Sequence, residues 1–393
     1  MHFPTFKNTN IAAYYFLTVF LNGWFVLPNW VFYFSQFISI PQIGVIDGIS
    51  KLVGIFLEVP SGAISDLLGK KRTLIAGNLA ISICCILLIN ADNYVGLLVG
   101  NIFMFIGFAF LSGSKEAFLY DSLKDIHQEQ QYDEVLGKVN SLATVTTVVS
   151  IGLGGFLYRL HPQLTFVAWL IFNVCSMITL AYMREPKTDE EHISYAAYFQ
   201  KLRDGVRSIF TKSVQRFILP VLFFSTLLRS YEGVIRQNTG AYFGFSGETF
   251  GYILALVLIP TMVASYNYKK LSTYFARKIE LVFIALYMLA FLLIFITNNL
   301  FIGVFSFLSM YVAQEISKPY VLSLVNKHTH SKHRATALST VSLLSEFPYM
   351  FAVLFLGSLL EVSVINYYYG VLLLALVAYL LAQLYFRLLG RQK

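Results

Sequence analysis

Charge is what this sequence has least of. Asp, Glu, Lys and Arg together make up 13% of its 393 residues, about half the share in a soluble globular domain. So few charges cannot cover a water-facing surface of this size, which excludes an ordinary soluble fold. Cysteine is scarce too. Cys84, Cys85 and Cys175 fall inside apolar runs without metal-ligand spacing, so they read as small hydrophobes and imply neither disulfides nor zinc. A nucleotide-binding P-loop is missing, which argues against direct ATP drive. No nucleophile–base pair stands out, so the chain does not read as an enzyme and implies no cofactor. The lack of a large polar domain counts against a transport-inactive receptor.

What is abundant is apolar and aromatic: 57% hydrophobic residues, with 36 Phe and 25 Tyr. The solvent for such a chain is lipid. Apolar runs cover about 11–34, 42–66, 73–90, 94–120, 135–158 and 164–183, then 217–240, 248–268, 279–297, 299–325, 336–358 and 363–388. Each is near or above the roughly 20 residues needed to cross a bilayer. The first is too long for a signal-peptide core and lacks a small-residue cleavage site, so it reads as a retained span. Twelve spans group as six (1–183), a linker (184–216) and six (217–393). In the linker Tyr195, Phe199, Leu202, Val206 and Ile209 recur at helical spacing, as in a helix lying on a membrane surface.

The net charge of +8 would suggest nucleic acid in a soluble protein; here topology accounts for it. With the N-terminus inside, 24 of the 29 Lys and Arg fall on the inner side and Arg159 alone on the outer. Both termini are therefore expected in the cytoplasm.

Between the second and third runs lies Glu58-Val59-Pro60-Ser61-Gly62-Ala63-Ile64-Ser65-Asp66-Leu67-Leu68-Gly69-Lys70-Lys71-Arg72. A carboxylate, a glycine turn and three cations make a charged elbow there. Gly62 lies one turn before Asp66, where a missing side chain admits a neighbouring helix. Asp66 could answer the positive end of another helix. This stretch resembles the loop 2–3 motif of the major facilitator superfamily, in a bacterial subgroup that reads E-[IV]-P-[ST]-G there. It departs at Leu67, where the family carries Arg or Lys. Ser112-Gly113-Ser114-Lys115-Glu116-Ala117 and Arg334-Ala335-Thr336-Ala337-Leu338-Ser339 resemble two further segments of the subgroup.

The resemblance implies an all-α membrane protein with twelve transmembrane helices in two six-helix pseudo-symmetric bundles, in a bacterial inner membrane. It implies alternating access, gated at Gly62, Asp66, Gly69, Lys70 and Lys71, and export of small organic molecules. The expected partners are a small-molecule substrate, protons and the lipid bilayer, with the chain acting as a monomer. An internal echo agrees: Pro60-Ser61, Ser65 and Lys70 recur 200 residues later as Pro260-Thr261, Ser265 and Lys270.

Ionisable and polar groups inside spans are costly in hydrocarbon and so are functional candidates. Asn22 and Asn29 interrupt the first run. Asp47, Lys51 and Glu58 share a face of the second. Arg229, Glu232 and Arg236 form a stripe on the seventh; with Asn22, Asn29 and Lys51 they are the substrate-binding candidates. Glu315 and Lys318 lie in the tenth. Any of these could instead pair internally and staple helices together. Glu346, near the middle of the eleventh run, has no cation within one turn. A carboxylate buried alone favours its neutral form, the property of a proton carrier, so Glu346 leads the proton-coupling candidates, with Glu58 and Glu315. Arg229 and Arg236 also admit a second reading, import of an anionic metabolite. His328, His330 and His333 lie among Lys327, Lys332 and Arg334 and read as a solvated basic loop. Gly152, Gly154 and Gly155 read as helix packing, and Tyr367-Tyr368-Tyr369 as part of an outer aromatic belt.

Overall fold

The computed structural model describes residues 9–186, 229, 231–275, 278–328, 346 and 349–390. Among them every regular element is helical. Eight stretches are long and apolar enough to cross a bilayer, and Asn10–Leu21 and Val364–Val377 are shorter apolar helices. The all-α membrane architecture expected from composition is the one adopted. Residues 187–216 of the linker, His330, His333 and most of the eleventh run lie outside the described residues.

The helices are α1 (Thr9–Leu21), α2 (Trp30–Phe34), α3 (Ile40–Leu68), α4 (Lys70–Asn90), α5 (Tyr94–Leu111), α6 (Ser114–Lys124), α7 (Tyr132–Leu160) and α8 (Leu164–Tyr182). They continue as α9 (Gly233–Tyr242), α10 (Gly247–Tyr266), α11 (Tyr268–Phe275), α12 (Ile279–Ile296), α13 (Leu300–His328), α14 (Gly357–Val362) and α15 (Val364–Gly390). The chain packs as two compact units. One comprises Met1–Ile38, Ile46–Tyr195 and Gly247–Tyr252; the other comprises Ser39–Val45, Ala196–Ser246 and Ile253–Lys393.

In the first unit the polarity of a soluble protein is partly inverted. Phe16, Leu79, Ile86, Ile171 and Ile178 are more than half exposed, while Asn78, Ser82, Asn101, Asn173 and Ser176 are buried. Lipid tails are as apolar as leucine, so helices gain little by hiding leucine from them. They associate instead through close packing and interhelical hydrogen bonds. A cluster including Tyr14, Leu17, Leu74, Phe118 and Leu180 ties α1, α4, α6 and α8 together. Gly154 and Gly155 of the fifth run are packing sites. A Cβ on Gly155 would sit 2.5 Å from the backbone oxygen of Glu248, at the start of α10. Arg159 Nη1 reaches Glu248 Oε1 at 3.3 Å one turn further on.

Two expected spans are broken helices. The first run stops being helical at Leu21 and resumes at Trp30, across a stretch holding Gly23 and Pro28. The fourth breaks at Ser112-Gly113, where Gly113 takes φ +72°, a left-handed conformation that side chains with a Cβ resist.

The second unit buries Phe283, Tyr287, Phe291, Ile294 and Phe307. Tyr367 and Tyr368 are fully buried and only Tyr369 is exposed, so two of the three expected belt tyrosines are core. For Tyr368 the reason is a tertiary contact: its OH shares a 2.9 Å hydrogen bond with Thr239 Oγ1, which gives its polar end a partner inside the bundle. The internal echo is structural as well. Ser61 Oγ donates to Glu58 O at 2.7 Å, and Thr261 Oγ1 donates to Leu258 O at 2.6 Å. Each hydroxyl follows a proline whose missing N–H cannot make its helical bond.

Candidate functional site

The elbow turns on one residue. Gly69 has φ 95°, and α4 begins at Lys70. Three cations then stand in the first turn of a helix, where its dipole opposes them. Neighbouring groups offset this. Glu185 Oε1 accepts from the backbone N–H of Lys70 at 2.6 Å and of Lys71 at 3.2 Å. Lys70 Nζ pairs with Asp121 in a nearly buried setting. Lys71 Nζ donates to Met183 O at 2.8 Å and Ala181 O at 3.3 Å, the carbonyl end of α8, where a cation is favoured. Glu185 therefore plays at α4 the helix-answering part that Asp66 was expected to play at a neighbouring helix. Gly62 and Asp66 belong to α3, but their side chains lie outside the described residues.

The two helix breaks meet at a cavity of about 300 Å³ in the first unit. Trp24, Phe108 and Trp169 wall it, with ring centroids 5.3 Å apart for Trp24–Phe108, 6.1 Å for Trp24–Trp169 and 6.4 Å for Phe108–Trp169. Asn22, Asn173, Lys115 and Glu116 supply its polar groups. The amide nitrogens of Asn22 and Asn173 donate to Thr18 O and Trp169 O, both at 2.8 Å. Each amide keeps its carbonyl oxygen and a second N–H. Ser112, also on the wall, donates to Glu58 Oε1 at 3.0 Å.

The second unit carries a chain of charges. Arg229 Nη1 contacts Glu232 Oε2 at 2.7 Å, and Arg229 Nη2 pairs with Glu346 Oε1. The three side chains are only 25%, 21% and 17% exposed, so the pairing is shielded from water and stronger than a surface pair. Gln314 Nε2 donates to Glu232 Oε1 at 2.8 Å. The Arg236 guanidinium lies 5.9 Å from the Tyr311 ring centroid, and its Nε is buried without a hydrogen-bond partner among the described residues.

Sequence spacing gave Glu346 no nearby cation; the fold brings it one from Arg229. That corrects the premise of an isolated carboxylate. Arg229 and Glu232 pair as their i, i+3 spacing suggests, as do Glu315 and Lys318 at 2.7 Å. Of the polar groups in the first run, Asn22 lines the cavity. Asn29 does not: it is fully buried and donates to Gly154 O at 3.1 Å. Lys51 is not among the cavity's lining residues. Sequence reasoning missed Trp169, Asn173, Phe108 and Glu116. Two signals pointed to them: an asparagine inside an apolar run, and a Ser-Gly-Ser break next to a charged pair.

The Major Facilitator Superfamily profile matches residues 12–234. An uncharacterized MFS-type transporter of Bacillus subtilis (strain 168), YxaM, is 21% identical over 329 residues, 79% of either chain. Among solved structures, a point mutant of the nucleoside transporter NupG superposes with TM-score 0.76 at 14% identity, covering 97% of this chain and 99% of that one. A bacterial homolog of the human lysosomal transporter Spinster gives 0.68 at 13% identity, covering 99% and 98%. A D-xylose–proton symporter gives 0.66 at 12% identity, covering 94% and 96%. With its apolar helical spans and a profile match over more than half its length, the chain belongs to the Major Facilitator Superfamily of integral membrane transporters.

Proposed function

We propose that this chain is a proton-coupled secondary transporter that exports amphipathic organic molecules across a bacterial cytoplasmic membrane. In this reading two six-helix halves, 1–183 and 217–393, joined by 184–216, rock around a midplane site as a monomer with both termini cytoplasmic. Gly62 and Asp66 stabilise the outward-open state through the elbow.

The observation that carries the reading is Arg229 held between Glu232 and Glu346. With both acids ionised, Arg229 and Arg236 balance them in number. A proton on Glu346 removes one anionic partner of Arg229, while Glu232 still keeps the guanidinium from being orphaned. The network thus has two hydrogen-bonded states separated by one proton, the minimum that coupling needs. Glu58 and Glu315 are further candidates for carrying the proton. In liposomes with an internal pH dye, a transported compound should drive proton movement in the opposite direction. Compound flux without proton flux would remove the coupling and leave a facilitator.

The second reading, import of an anionic metabolite, draws on Arg236. Arg229 is already committed to two carboxylates. Arg236 keeps an unmatched buried donor among the described residues, which a carboxylate or phosphate could accept from. Uptake of a radiolabelled organic acid that Arg236→Gln abolishes would favour it over export.

A further inference from the structure

The cavity between the two broken helices is more specific than a greasy pocket. Three aromatic side chains wall it, and a carboxylate and two amide carbonyls stand among its polar groups. Asn22 and Asn173 have each used one amide N–H on their own helix, which leaves each a carbonyl oxygen and a second N–H. Glu116 adds a carboxylate to the wall. A second carboxylate, Glu58, is tied to the wall through Ser112 at 3.0 Å.

Two positive features must be weighed against this. Lys115 Nζ lies 3.6 Å from Glu116 Oε1, but the two side chains are 44% and 43% exposed. The pair is therefore hydrated and weak. The start of α6 points its positive end here, and Glu116 in the first turn already answers it. Glu116 and Lys115 balance in formal charge on the wall, and Glu58, held by Ser112, adds a negative charge beside it. Aromatic faces within about 6 Å of a charge attract cations and not anions.

We infer that the first unit's cavity is the recognition site for the charged end of an organic cation: a protonated amine on an apolar body, its N–H groups donating to Asn22, Asn173 and Glu116 and its charge held by Trp24, Phe108 and Trp169. This rests on the transport reading above and names its substrate class. The apolar body accounts for an aromatic wall; the ammonium accounts for Glu116 on that wall and Glu58 beside it. A neutral alcohol would satisfy part of the acceptor set. A carboxylate would meet acceptors and like charge.

Binding can be measured without transport or a proton gradient. Two of the chain's three tryptophans, Trp24 and Trp169, line the cavity, so intrinsic fluorescence reports occupancy, with calorimetry as the second readout. The full-length protein in detergent is titrated at pH 7 with 2-phenylethylamine, its alcohol isostere 2-phenylethanol, and 3-phenylpropanoate. We expect the amine to bind about tenfold or more tightly than the alcohol, and the carboxylate least. Glu116→Gln should weaken the amine about tenfold and leave the alcohol nearly unchanged. Trp24→Leu should weaken the amine and shrink the fluorescence change. If Trp24→Leu fails to fold, Trp24→Phe keeps a ring and should bind within about threefold of the native chain. Equal affinity for amine and alcohol, tighter binding of the carboxylate, or unchanged amine affinity in Glu116→Gln would overturn the assignment. An amine that binds as described but is never moved in liposomes overturns the export reading and leaves this site standing. Transport of another compound class without amine binding does the reverse.

Discussion

Glu185, just past the end of α8, accepts the backbone N–H of Lys70 at the start of α4 at 2.6 Å. These residues are 115 positions apart, and their contact ties the elbow to the end of α8. The carboxylate meets the positive end of a helix while Lys71 meets the carbonyl end of its neighbour. Removing the acid should leave the backbone N–H groups of Lys70 and Lys71 without their acceptor, while Lys70 keeps Asp121 and Lys71 keeps the Met183 and Ala181 carbonyls. Glu185→Ala is expected to cost about 1 kcal/mol of stability, read as a fall in the melting temperature of the detergent-solubilised protein, with Glu185→Gln intermediate. Gly69→Ala should cost more. It needs a left-handed residue at about 1–2 kcal/mol, and its Cβ would lie 2.8 Å from Glu185 Oε2. An unchanged melting temperature in both variants would show the elbow to be held elsewhere.

Asp66→Asn tests the proposed gating role of Asp66. Only an ionised group answers a helix dipole at full strength, so expression and melting temperature should stay near normal while transport falls severely. Native transport rates in Asp66→Asn vesicles would reduce the motif to a turn.

Glu346→Gln keeps the shape of the side chain and removes its titration. Arg229 retains Glu232, so the protein should fold, and substrate exchange should continue while proton-linked flux disappears. Arg229→Ala is expected to behave differently. It strands two acids that are largely shielded from water, at a cost of about 3–5 kcal/mol, and should lower yield and melting temperature together. Proton movement that survives in Glu346→Gln liposomes would shift the coupling to Glu58 or Glu315.

The contact of α7 with the start of α10 separates packing from charge. Arg159 is 66% exposed in its pair with Glu248, so Arg159→Ala should change stability by less than about 1 kcal/mol. Gly155→Ala must push backbone atoms apart, and we expect about 1–3 kcal/mol and a melting temperature lower by several degrees. A larger effect from Arg159→Ala than from Gly155→Ala would reverse that ranking.

Orientation is checked by labelling. With the three native cysteines replaced, Ser331→Cys should react with an impermeant maleimide only from the cytoplasmic side and Asn298→Cys only from outside. The opposite pattern would invert the loop assignment.

Composition alone determined that this chain lives in lipid. Apolar length placed most of its helices within a few residues, because a bilayer of fixed thickness imposes one length on every span. The elbow was legible to the residue, since a left-handed turn between two helices demands glycine, and Gly69 stands where the turn is. Other features were decided by tertiary structure. Nothing near Glu346 in the sequence announces Arg229, over a hundred residues away, because helix packing makes neighbours of residues that spacing cannot relate. Tyr367 and Tyr368 looked like belt residues because a tyrosine's polar end suits an interface; Thr239 gives Tyr368 a partner inside instead. Asn22 and Asn29 look alike in the sequence, yet one lines a cavity and the other holds Gly154. Hydropathy measures how much a segment dislikes water, and it carries no record of which face of a helix meets lipid, a neighbour or an open space.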